Sequence, residues 1–100
     1  MNKKDILNEL FELHEKYMDL VWYARANPDL PKLTKEQKNS IINSKGKIYM
    51  KYTKDIEELE ECPDWQHGFN SGMLAAIRYI FTMNDEGIIE AKENFPELYT

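Results

Sequence analysis

This chain is poor in the residues that stiffen or cross-link small folds. It has one cysteine in 100 residues, which excludes an internal disulfide and a cysteine-built structural zinc site. Four glycines and four prolines are too few for a collagen-like or low-complexity chain. No apolar run approaches the roughly 18 residues of a membrane span, so no membrane partner is expected. Segments with a strand-like alternation of apolar and polar residues are missing too. There is no glycine-rich phosphate loop and no H-E-x-x-H zinc motif. No metal and no cofactor are therefore expected.

Charge and aromatic rings are what the sequence has in quantity. Charged residues make up 31% and the formal net charge is -5. Two Trp, six Tyr and four Phe need a core to sit in, which speaks against intrinsic disorder. The length suits a single helical domain over 1–100. Met1-Asn2-Lys3-Lys4-Asp5 runs straight into a charged amphipathic segment, unlike a cleaved signal peptide. A cytoplasmic protein is the expectation.

Apolar residues recur at helical spacing. Ile6, Leu10, Leu13, Tyr17, Leu20 and Ala24 share one face of a helix over 5–26. Pro28 and Pro31 end it, because each disfavours helical geometry in the residue before it. Thr34-Lys35-Glu36-Gln37 is a capping box and predicts a second helix over 35–61. Ile41, Ile42, Ile48, Tyr49, Tyr52, Ile56 and Leu59 form its stripe, with Gly46 as a weak point. Cys62-Pro63 breaks the chain and Asp64 is the expected N-cap of a third helix over 65–83. A short fourth helix follows over 88–94. The fold class is all-α: an antiparallel bundle of three long helices plus a short C-terminal helix. At about 1.5 Å per residue the second helix would reach roughly 40 Å and overhang its partners.

Two patterns stand out. Across 65–83 there is no acid and one base, Arg78. Trp65, Phe69, Met73, Ala76 and Ile80 read as the core stripe, and Gly68, Gly72 and Ala76 as a row for close backbone packing. His67, Asn70, Ser71 and Arg78 then form a polar row opposite. Arg78 would meet either an acid of the first helix or an anionic ligand. In the ligand reading Arg78 grips the anion, and Trp65 or Tyr79 supplies a stacking wall. The second pattern is electrostatic. Residues 35–54 hold six lysines and one glutamate, net +5, and 55–61 hold five acids, net -5. This reverses the order a helix dipole favours. Antiparallel self-pairing would set each basic half on the partner's acidic half, so a homo-oligomer through helix 35–61 is expected. Lys45, Tyr49 and Tyr52 are further candidates for a phosphate-and-base site.

Trp65-Gln66-His67-Gly68-Phe69-Asn70-Ser71-Gly72, with Leu74-Ala75-Ala76 and Arg78, resembles a signature of small helical bacteriophage accessory proteins. Leu20-Val21-Trp22-Tyr23-Ala24-Arg25 is similar to theirs as well. The resemblance implies a viral accessory protein and carries no activity. By analogy with the class, it implies an anti-defence sponge that sequesters an anionic small molecule such as a nucleotide immune signal. The alternatives are an inhibitor or adaptor of a host protein and a minor structural component.

Catalysis is not expected. Glu58 and Glu61 supply one E-x-x-E of a nucleotide pyrophosphohydrolase, but no separate helix supplies the matching E-x-x-D. Neither His14 nor His67 has a glutamate three residues before it, as a di-iron bundle would need. DNA binding is disfavoured by the overall acidity and by residues 84–100, net -4, which would repel a phosphate backbone.

Overall fold

A computed structural model describes residues 2–83. These form four helices: α1 (Lys3–Arg25), α2 (Lys35–Lys51), α3 (Thr53–Glu61) and α4 (Pro63–Phe81). The described residues are thus all-α, with no strand among them. The short helix expected over 88–94 and the acidic segment 84–100 lie outside the described residues. Among those described, no helix is long and apolar enough to cross a membrane.

The predicted second helix is two helices. The break falls at Tyr52, whose φ of -128° and ψ of 48° leave helical geometry. Both flanking bonds persist, Tyr52 N–H to Ile48 O and Ile56 N–H to Tyr52 O, so each helix runs right up to the break. The cause is local: the Thr53 hydroxyl donates to the Tyr49 carbonyl at 2.8 Å. Threonine back-bonding of this kind bends helices. Gly46 does not interrupt α2. The bend also relieves part of the reversed charge order, because Lys51 now lies in the last turn of α2 and Asp55 in the first turn of α3, both favourable to the dipole. The roughly 40 Å rod, and the overhang argument built on it, does not hold.

A second bend separates α3 from α4 at Cys62, where φ is -132° and ψ is 71°. Pro63 disfavours helical geometry in the residue before it. The Cys62 carbonyl accepts from Gln66 N–H, so α4 starts earlier than expected. Pro63 takes its first position, where the missing N–H costs nothing. Asp64 is inside the first turn and is not the N-cap. The capping box of α2 is as read: Thr34 Oγ1 accepts from Gln37 N–H at 3.1 Å, and Gln37 Oε1 from Thr34 N–H at 2.9 Å.

The described residues divide into two compact units, 2–18 with 69–83, and 19–68. In the first, α1 and α4 run antiparallel. Phe11 lies 5.2 Å from Phe81, His14 5.4 Å from Phe81 and Tyr17 6.4 Å from Phe69 between ring centroids, so advancing along one helix retreats along the other. Ile6, Leu10, Tyr17, Asn70, Leu74, Ile77 and Ile80 are buried there. In the second unit the buried residues are Leu20, Val21, Ile56, Leu59 and Gln66.

Of the stripe predicted for the third helix, Ile80 is buried, Met73 and Ala76 are half-buried, and Trp65 and Phe69 are exposed. The buried residues of α4 are Gln66, Asn70, Leu74, Ile77 and Ile80, spaced 4, 4, 3 and 3. Trp65 is 68% exposed and Phe69 is also exposed. A Cβ built on Gly68 or Gly72 meets nothing within 4 Å, so among the described residues no backbone packs on these two glycines.

Candidate functional site

Unit 19–68 contains a cleft of about 350 Å³ lined by Tyr23, Ala24, Lys45, Leu59, Glu60, Pro63, Asp64 and His67. That is at the lower end of the volumes of small-molecule sites. Each helix delivers a different chemistry to it. The end of α1 brings the Tyr23 ring, α2 brings an ammonium group, α3 brings Leu59 and a carboxylate, and the start of α4 brings Asp64 and an imidazole.

Lys45 is fixed in place. Its Nζ donates to the Ala26 carbonyl at 2.9 Å and lies 4.3 Å from the centre of the Tyr23 ring. An ammonium has three donors, so two remain for a ligand. Tyr23 is held above its ordinary value of 10.0 by burial first, then by the Glu60 carboxylate and by Tyr49. It is therefore a neutral hydroxyl at physiological pH and can donate a hydrogen bond. His67 is half-buried, and its Nδ1 is buried without a hydrogen-bond partner among the described residues. A buried polar atom without a partner is costly unless something else satisfies it.

Of the residues singled out in the sequence, Lys45 and His67 meet at this cleft. Tyr49 is close enough to act electrostatically on Tyr23. Tyr52 sits at the bend, with the Lys51 ammonium 5.3 Å from its ring centre. Trp65 is on the outside of the same unit. The others belong to the second unit. Asn70 is 0% exposed, a member of the core rather than of a recognition row. Ser71 Oγ is buried with no hydrogen-bond partner among the described residues. Among the described residues Arg78 has no ion pair; its Nε donates to His14 Nε2 at 3.3 Å on the surface. Tyr79 is 67% exposed. Tyr23, Glu60 and Asp64 were not among the expected site residues. Tyr23 had one signal, its place as an aromatic just outside the apolar stripe of the first helix.

Two carboxylates and one ammonium leave the cleft without a strong positive field. A bare anion would feel Glu60 and Asp64 as well as Lys45. A ligand with one anionic group, hydroxyls and a flat ring suits the donor set better. Among the described residues no three His, Cys, Asp or Glu side chains are grouped to hold a metal ion. Comparison with protein-family models, curated proteins and solved structures found no match.

Proposed function

We propose that this chain is a non-enzymatic helical binding protein that sequesters a small anionic ligand of nucleotide type in the Tyr23–Lys45–His67 cleft. The observation that carries this reading is that Lys45 and His67, on separate helices, line one cleft with the Tyr23 ring. Lys45 takes the phosphate, Glu60 and Asp64 accept from ribose hydroxyls as acidic residues do in dinucleotide folds, and Tyr23 or the His67 imidazole reads the base. The resemblance to phage accessory proteins carries no activity, and the role against a host nucleotide signal in the cytoplasm is taken by analogy with that class. A thermal-shift screen with mononucleotides and cyclic nucleotides tests it. At least one should raise the melting temperature of the parent and not that of a folded Lys45→Ala variant. No shift with any of them defeats the reading.

A second reading, an inhibitor or adaptor that docks on a host protein, is favoured by Trp65 and Tyr79. Each is a large ring left mostly exposed on a helix whose 65–81 span carries one charge, and aromatic residues of this kind anchor protein interfaces. Co-purification of one defined host protein, lost with Trp65→Ala or Tyr79→Ala, would support it over the first.

A further inference from the structure

The α2 and α3 helices, both within unit 19–68, carry opposite charges and incomplete cover. All 17 residues of α2 lack full burial, and Met50 is 82% exposed, with Ile42 and Tyr49 also exposed. An isolated helix of this length is marginal in water, and its stability comes from a covered apolar face. Five lysines against Glu36 give α2 a net +4, and five acids against Lys54 give α3 a net -4. Lys35, Lys38, Lys47 and Lys51 are exposed, as are Glu57, Glu58 and Glu61. Among the described residues, Lys47, Glu57 and Glu61 have no ion pair.

We infer that α2 and α3 form a self-complementary interface whose occupant is a second copy of this chain. The two copies pair antiparallel across the Tyr52 bend, so that α2 of each lies along α3 of the other. Parallel pairing would set lysine on lysine and glutamate on glutamate, so the charge order selects the antiparallel arrangement. A two-fold axis makes every contact occur twice. Lys47 stands five residues before Tyr52 and Glu57 five after it, which sets each Lys47 opposite the partner's Glu57. Met50, beside the axis, is covered by the same pairing. The interface is largely polar, so the dimer is weak and screened by salt. This inference does not depend on the ligand reading.

Sedimentation velocity on the full chain tests it. The parent should run at twice the 11.9 kDa chain mass at about 0.1 M salt and shift towards monomer at about 1 M, where the screening length falls from about 10 Å to about 3 Å. Lys47→Glu and Glu57→Lys should each weaken the dimer on the order of tenfold. An equimolar mixture of the two should dimerise again, because both cross-pairs are then opposite in sign. Circular dichroism checks that each variant keeps the parent's helicity. If a reversal disturbs the fold, Lys47→Gln and Glu57→Gln replace it, and each should weaken the dimer. A monomeric parent at low salt, a dimer untouched by these substitutions, or a mixture that stays monomeric overturns the inference.

Discussion

Lys45 links local structure to the candidate site. Its bond to the Ala26 carbonyl ties α2 to the chain just after α1, and its place over Tyr23 fixes the ammonium at the cleft. Lys45→Met should keep the apolar stem and lose both contacts. A loss of about 1 kcal/mol is expected for a partly buried bond of this kind, read from urea unfolding. Tyr23 gives a pH test. Its folded value is raised by burial and by Glu60, so the neutral ring is favoured in the folded state. Its stabilising effect is complete below the ordinary value of 10.0 and is lost as pH rises through the higher folded value. Urea unfolding from about pH 8 to about pH 11 should show stability falling above about pH 10, with a smaller fall in Tyr23→Phe. Equal falls in the two proteins would remove Tyr23 as the cause.

At the scale of the helices, apolar spacing located the segments well and oriented one of them badly. Ile6, Leu10, Tyr17 and Leu20 are buried on α1 as their spacing requires. On α4 the aromatic rings of Trp65 and Phe69 outweighed Gln66 and Asn70 in a hydrophobic reading, although the two amides lie on the buried side. A wheel of hydrophobicities places amides outside by default, because such residues are mostly exposed. The bend at Tyr52 was equally hidden, because Ile48, Tyr52, Ile56 and Leu59 keep helical spacing through it. Its cause is one hydroxyl, Thr53 Oγ1 on Tyr49 O. Thr53→Ala should therefore relax the bend, seen as more helical signal in circular dichroism. Gly72 now carries the opposite expectation from a packed glycine. With open space at its Cβ, Gly72→Ala should stabilise the chain by about 0.5–1 kcal/mol in thermal unfolding, whereas a loss of stability would mean that a partner backbone packs there.

For the whole molecule, the all-α class was legible because helical periodicity runs through almost every segment before residue 83. Part of the cleft was legible too: Lys45 and His67 stood out by residue type, and Asp64 lies one turn before His67, while Tyr23 is brought to them by folding from a distant part of the sequence. The opposed charges of 35–54 and 55–61 were read directly, and the structure puts five of the six lysines on α2 and Lys54 with the five acids on α3. The cleft is proposed to hold a ligand with one anionic group, hydroxyls and a flat base. Titration calorimetry of the full chain with AMP and with 3′,5′-cyclic AMP and cyclic GMP tests it most directly, run in parallel on the parent and on Lys45→Ala of matched helicity. Saturable binding of at least one nucleotide, one per chain, is expected, weakened on the order of tenfold or more by the substitution, as for losing a charged hydrogen bond. No heat with any of the three, or equal affinity in parent and variant, would contradict it.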